Sequence, residues 1–222
     1  MPLSLLRADL ASLVLYQDPL SPWCLVAERR IAAAAADLPG VFGPLRLEPF
    51  PTRVTPRALT RTERCALARA ARRAAREPEV SGSIPDLWLS PDAPLSSVPV
   101  LAALAAARLQ GAHREAAFRA AVRQAAFYRG LNVSRSDVLL ELADRAGLDL
   151  AAFAAVLASP WAELRVQRAM EAALERGVEE VPSLVIGEEW LVVGTRRTAD
   201  YRSILRRYAA EHPVGQALPV VH

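Results

Sequence analysis

The stretch Asp18-Pro19-Leu20-Ser21-Pro22-Trp23-Cys24 decides the fold, because it joins a predicted strand to a predicted helix. The apolar run at residues 13–16 predicts a short buried strand before it. A helix is predicted after it, over residues 23–37, and Pro22 suits the first helical turn, where a missing backbone N–H leaves no bond unmade. Leu38-Pro39-Gly40 ends this helix. The quoted turn therefore lies at a helix N-terminus.

The other predicted elements give the order β-α-β, then a helical block, then β-β-α. Residues 45–48 predict a second strand, residues 183–186 and 190–193 a tight hairpin, and residues 198–210 a final helix. Six helices are predicted between these parts, over residues 57–76, 98–109, 113–129, 134–146, 150–157 and 161–176. Ser134 and Asp137 have the spacing of a capping box at the fourth of these.

Composition excludes several classes of protein. All 27 basic residues are Arg, so the net charge of +3 indicates a coding bias rather than a nucleic-acid surface. Arg7 and Asp9 interrupt the first apolar stretch, which speaks against a secretory signal, and residues 11–16 are too few to span a bilayer. We therefore expect a cytoplasmic protein that binds neither nucleic acid nor membrane. Two cysteines and three scattered histidines predict no metal site.

Four stretches resemble the DsbA family, nearest to its cytoplasmic FrnE-like branch. Residues 18–24 are similar to the family's D-x-x-C-P-W-C turn, and Val181-Pro182 through Gly194 to its V-P-x-x-V-I … V-x-G hairpin. The other two are residues 128–139 and residues 146–153, both similar to its helical insertion. The resemblance implies an α/β, thioredoxin-like fold (βαβ…ββα) with an inserted all-helical domain. We expect residues 1–55 plus 178–222 to form the thioredoxin-like domain, and residues 56–177 the insertion.

The resemblance also implies a thiol–disulfide oxidoreductase, yet one sulfur is missing. In the family the first cysteine of the turn attacks and the second resolves the mixed disulfide. Ser21 occupies the attacking position and only Cys24 keeps its sulfur, so we expect no dithiol exchange within this turn. Cys24 is either the remaining catalytic thiol or an inert packing residue.

The family's substrate site includes a cis-proline loop. Its residue before that proline presents its backbone to the thiol substrate, so we expect a cis bond at Val181-Pro182 and a substrate-binding role for both residues. Pro22 and Trp23 are the matching substrate-binding candidates on the turn, although Trp23 fits a packing role equally well.

Serine before proline also resembles kappa-class glutathione transferases and 2-hydroxychromene-2-carboxylate isomerases. There the hydroxyl donates to the thiolate of glutathione, a role that Ser21 could fill with glutathione as co-substrate and no covalently bound cofactor. That branch has an acid in a Gly-x-Asp-Arg ending, whereas this chain has Gly194-Thr195-Arg196-Arg197. A third interpretation is a non-catalytic module that binds extended peptide beside Pro182. Whether the chain is an enzyme stays open, with a thiol-containing peptide, a protein or glutathione as the expected partner.

Two further features allow two interpretations each. Cys65 lies four residues from both Arg61 and Arg69, which would favour its thiolate if it is exposed, but it also suits the edge of a packed helix. The apolar residues 98–109 are compatible with a homodimer interface and equally with core burial.

Overall fold

A computed structural model describes residues 10–83 and 86–212 of the chain. Four strands are present: β1 (Ala11–Gln17), β2 (Phe42–Pro49), β3 (Ser183–Ile186) and β4 (Trp190–Val193). Eight α-helices are present in the same residues: α1 (Pro22–Ala36), α2 (Arg61–Ala74), α3 (Val98–Arg108), α4 (Ala112–Arg123), α5 (Ser136–Arg145), α6 (Leu150–Leu157), α7 (Pro160–Glu175) and α8 (Thr198–Glu211). Two predictions lie outside the described residues, since these exclude residues 1–9 and 213–222. They are the outer limits of the thioredoxin-like domain and the interruption of the first apolar stretch by Arg7 and Asp9.

The four strands form one mixed sheet in the order β2-β1-β3-β4. Strands β1 and β2 are parallel, because α1 carries the chain back to the start of the sheet. Strand β3 pairs antiparallel with both β1 and β4, and Leu15 faces Leu47 on one side and Leu184 on the other. The predicted α/β, thioredoxin-like fold is confirmed.

Each face of the sheet is covered by helices. Alternate residues of β1 point to opposite faces, so Leu13 and Leu15 pack with α1 and α8, whereas Val14 and Tyr16 pack with α7. Gly187 begins the β3–β4 turn at a φ of 58°, and a Cβ there would lie 1.7 Å from the Tyr208 hydroxyl of α8. Close packing of α8 on the hairpin therefore requires glycine at this position.

The helical block α2 to α6 has its own core, and α1 takes part in it. Leu25 and Val26 of α1 are buried in the same cluster as Phe118 of α4 and Phe153 of α6. The two phenylalanine rings meet edge to face with centroids 5.3 Å apart. The division at residues 55–56 and 177–178 remains a prediction.

The predicted capping box at Ser134 is wrong. Arg135 is the residue that precedes α5, and the Ser134 hydroxyl donates instead to the Ser96 carbonyl, 2.8 Å away. A capping box does form at Thr60 and Glu63, and it starts α2 at Arg61 rather than at residue 57. The prediction failed because the Ser134 hydroxyl binds the Ser96 carbonyl, which is 38 residues away in sequence. The spacing of Ser134 and Asp137 does not indicate this distant partner.

Candidate active-site turn

Asp18 fixes the turn between β1 and α1. Its side chain is fully buried, and its carboxylate accepts hydrogen bonds from the Leu20 N–H at 2.9 Å, and from the N–H and hydroxyl of Thr52 at 2.9 and 2.6 Å. Two segments that are far apart in sequence are therefore held together by one carboxylate. The sequence motif includes Asp18, but the sequence does not indicate that Thr52 is its partner.

Ser21 stands at the entrance to α1. It is the N-cap residue with an extended backbone (φ −98°, ψ 112°), and its side chain makes no capping hydrogen bond to the helix. Pro22 follows as the first helical residue and is buried, whereas Ser21 and Trp23 are half-buried. Because the first N–H groups of a helix lack partners within it, the Ser21 hydroxyl lies beside a region that attracts anions.

Cys24 lies one turn into α1 and is 1% exposed. Burial raises the pKa of its thiol to about 12. Hydrogen bonds from the Asp18 backbone and the Ser21 side chain lower the pKa by less than burial raises it. The thiol is therefore protonated at neutral pH, and the proximity of the helix N-terminus does not overcome desolvation.

Cys65 lies apart from the turn, on α2, where it is half-buried. The Arg69 guanidinium donates to the Cys65 carbonyl at 3.3 Å, rather than to its sulfur. Both cysteines are free thiols, so the structure contains no disulfide between Cys24 and Cys65.

The loop with Pro182 joins the turn through the residues that follow β4. The Val181–Pro182 peptide bond is cis. The Gly194 N–H donates to the Pro182 carbonyl at 2.8 Å, and the neighbouring Thr195 hydroxyl donates to the Trp23 carbonyl at 3.2 Å. Two consecutive residues thus connect the proline loop to the Ser21 turn. Trp23 also packs partly against the core of the helical block.

Arg196 stands where the glutathione-dependent branch has its acid. The side chain is exposed, and its guanidinium donates to the Val193 carbonyl at 3.1 Å. A basic group therefore occupies the position at which that branch holds a carboxylate.

Arg53 forms a cationic neighbour of the turn that the sequence analysis missed. Its guanidinium lies 4.9 Å from the ring centre of Trp88, and both terminal nitrogens are buried without a hydrogen-bond partner in the described residues. Burial lowers the pKa of this group, and the Asp18 carboxylate opposes that change. Arg53 lines a cavity of about 260 Å³ together with Thr52 and Arg57. A buried guanidinium whose terminal nitrogens have no hydrogen-bond partner among the described residues therefore lies beside the turn.

Residues 10–83 and 86–212 contain neither a metal-ligand cluster nor a membrane-spanning helix. No three His, Cys, Asp or Glu side chains in these ranges are grouped so as to hold a metal ion. Nor does any helix within them combine the length and apolar character needed to cross a bilayer.

The DSBA-like thioredoxin domain family matches residues 12–206. The chain belongs to this family. Two curated relatives match part of this chain: the ClpXP adapter protein SpxH of Bacillus subtilis is 38% identical over 101 residues, and that of Halalkalibacterium halodurans 35% over 100. The matched segments cover 45% of this chain and only 33% and 32% of those proteins.

Solved structures share the DsbA-like fold over nearly the whole chain. A Nitrosomonas europaea protein whose name suggests a disulfide isomerase has a TM-score of 0.77 at 18% identity, over 92% of this chain and 100% of that one. The cytosolic disulfide reductase DsbM of Pseudomonas aeruginosa, solved with GSH, has a TM-score of 0.65 at 22% identity, over 90% and 99%. A 2-hydroxychromene-2-carboxylate isomerase has a TM-score of 0.60 at 22% identity, over 90% and 97%. At these identities the likeness concerns the fold alone.

Proposed function

We propose that this DsbA-family chain binds a thiol-containing peptide or protein at the Ser21 turn and does not exchange dithiols there. The observation that carries the proposal is the state of the one sulfur in the turn. Cys24 is 1% exposed and the pKa of its thiol is raised to about 12, so almost no thiolate is available to attack a disulfide. Ser21, which is accessible, has no sulfur.

The same turn keeps the features of a binding site. The Ser21 hydroxyl is half-buried and makes no capping bond. Because the Cys24 thiol is protonated, it can be the donor in its contact with Ser21, so the Ser21 proton is available for a thiolate or a carbonyl. The Val181–Pro182 loop is connected to Trp23 by the Gly194 and Thr195 hydrogen bonds. Ser21, Pro22 and Trp23 on one side, and Val181 and Pro182 on the other, are the residues we propose to contact the ligand.

The curated relatives favour a protein or peptide as that ligand. Both are named as ClpXP adapter proteins, and an adapter has a binding role rather than a catalytic one. The shared segment is short, so the proposal concerns only the class of ligand. A cytoplasmic location and a homodimer remain predictions.

Glutathione-dependent isomerase or transferase activity is the second candidate. Two observations favour it. The Ser21 hydroxyl would serve a thiolate, and the buried Arg53 nitrogens, which have no partner among the described residues, would serve a carboxylate. DsbM, a structural neighbour, was solved with GSH. The Arg196 side chain counts against this candidate, because it puts a cation where an acid is expected.

An insulin-reduction assay tests the absence of dithiol exchange. We expect no turnover by the wild-type chain, and turnover by Ser21→Cys, because the Ser21 side chain already hydrogen bonds to the Cys24 thiol. The control is the double variant Ser21→Cys with Cys24→Ala, which restores an exposed thiol without a resolving partner. Wild-type turnover that is lost in Cys24→Ala would overturn the proposal.

Calorimetry distinguishes the two ligand classes. Glutathione and a cysteine-containing peptide are titrated into wild type and into Ser21→Ala. The proposal expects the peptide to bind wild type at least about fivefold more tightly than Ser21→Ala, the value of one net hydrogen bond. Binding of glutathione alone, with the same dependence on Ser21, would favour the second candidate.

A further inference from the structure

A second cavity lies away from the Ser21 turn, beside the edge strand β2. It has a volume of about 260 Å³ and is enclosed by β2, α3, α4 and α7. None of the five residues proposed to contact the thiol ligand lines it. Its existence is therefore not explained by the proposed thiol-binding function.

Gln17, at the end of β1, lines this cavity and carries an unpartnered polar atom. The residue is 3% exposed, and its side-chain oxygen Oε1 is buried with no hydrogen-bond donor in the described residues. A buried acceptor without a donor destabilises a fold, whereas an apolar side chain of similar size would not. The acceptor is thus poised for a donor that the described protein residues do not provide.

The rest of the cavity combines apolar walls with a cationic mouth. Leu47, Leu101 and Leu104 supply the walls. At the mouth, Arg165 and Arg108 share one carboxylate, Glu48, at 2.8 and 3.6 Å. Two guanidinium groups facing a single carboxylate leave one positive charge unbalanced.

The third guanidinium that lines the cavity does not change this balance. Arg119 pairs with Glu115 one helical turn away. The charge of that pair cancels, so the cavity as a whole carries a single excess positive charge. This excess suits a ligand with one negative charge.

We propose that this cavity binds a small monocarboxylic acid with an apolar body, whose hydroxyl or N–H group donates to Gln17 Oε1 and whose carboxylate meets Arg108 and Arg165. Ligand cavities usually measure about 300–1,000 Å³. A volume of about 260 Å³ therefore selects a ligand at the small end of that range.

Three probes separate the contributions to binding: 4-hydroxybenzoate has the hydroxyl, the apolar ring and the carboxylate, benzoate lacks the hydroxyl, and 4-methylphenol lacks the carboxylate. We expect 4-hydroxybenzoate to bind in calorimetry, and each of the other two to bind at least about fivefold more weakly. No binding of 4-hydroxybenzoate at millimolar concentration, or equal affinity for all three probes, would overturn the proposal.

Variants locate the binding. Ala105→Phe places a ring in the cavity and should abolish binding of 4-hydroxybenzoate, whereas Ala120→Phe, on the exposed side of α4, is the matched control. Arg108→Ala, at a half-exposed side chain, should weaken binding without affecting folding, and exposed Arg114→Ala should not. Unchanged affinity in both Ala105→Phe and Arg108→Ala would refute the location.

Gln17→Met gives a readout that a merely structural role would not. It keeps the volume of the side chain and removes the unpartnered oxygen. We expect the ligand-free variant to melt about 2–4 °C higher than wild type, and to bind 4-hydroxybenzoate no better than benzoate. A variant that melts lower and still prefers 4-hydroxybenzoate would contradict the role of Gln17.

Discussion

The reactivity of Cys24 toward iodoacetamide gives a direct measure of the state of the turn. Alkylation requires the thiolate. Burial raises the pKa of this thiol from 9.0 to about 12, and each unit of pKa lowers the thiolate fraction at neutral pH tenfold. The folded protein should therefore alkylate at Cys24 about a thousandfold more slowly than the unfolded chain, before any steric protection is counted.

The experiment uses Cys65→Ser, so that Cys24 is the only thiol in the chain. Its alkylation is followed by intact mass at pH 7.5, once in buffer and once in denaturing urea. Cys24→Ala with Cys65 retained is the matched control, since Cys65 is half-buried and should react within the native state. Circular dichroism checks that both variants keep the wild-type fold.

A native rate within about tenfold of the urea rate would refute the reasoning, because a hundred times more thiolate would then be present than a pKa of about 12 permits. Such a result would make Cys24 a reactive thiol. It would move the proposed function back toward single-thiol redox chemistry.

Three further predictions concern stability, each measured by urea unfolding. Gly187→Ala should lower the free energy of unfolding by about 2–5 kcal/mol, because its Cβ would lie 1.7 Å from the Tyr208 hydroxyl. The control Gly194→Ala, also at positive φ but with nothing within 4 Å of its Cβ, should lower it by only about 1–2 kcal/mol. Equal losses in the two variants would exclude the clash. The pKa of Cys24 is raised from 9.0 in the unfolded chain to about 12 in the folded protein, so the stability that the protonated thiol contributes is present below pH 9 and lost above it. From pH 8 to pH 10 the wild type should therefore lose about 1.4 kcal/mol more of its free energy of unfolding than Cys24→Ala. The same dependence of stability on pH in both proteins would contradict this. Asp18→Ala leaves three hydrogen-bond donors without their acceptor and should lower the free energy of unfolding by about 3 kcal/mol or more, and Asp18→Asn should lower it less. A loss below about 1 kcal/mol in Asp18→Ala would show that the carboxylate does not fix the turn.

The order of elements followed from local patterns, and the structure agrees with it closely. The hairpin at residues 183–193 has the predicted strands, and α3, α6 and α8 begin where the apolar periodicity begins. Local signals were weaker at helix ends. The Thr60 capping box and the π-helical turn at Gln124–Tyr128, which follows α4, were both missed.

The candidate site divides in the same way. Ser21, Pro22, Trp23 and Cys24 were found because they adjoin one another in sequence, whereas the role of Val181 and Pro182 required the resemblance to a family. Thr52 and Arg53 escaped prediction, since nothing local to them indicates that they approach Asp18. Their role depends on contacts across more than thirty residues of chain.

The sequence by itself determined what the turn lacks. A serine hydroxyl at position 21 cannot form a disulfide in any fold, so residue identity alone leads us to expect no dithiol exchange within the turn. Only the tertiary structure decided the state of Cys24 and the surroundings of Gln17. The pKa of a thiol depends on how much water the surrounding elements exclude, and an amide oxygen is left without a partner only once distant elements have packed around it. Both properties belong to the packing of the chain, which residue spacing does not specify.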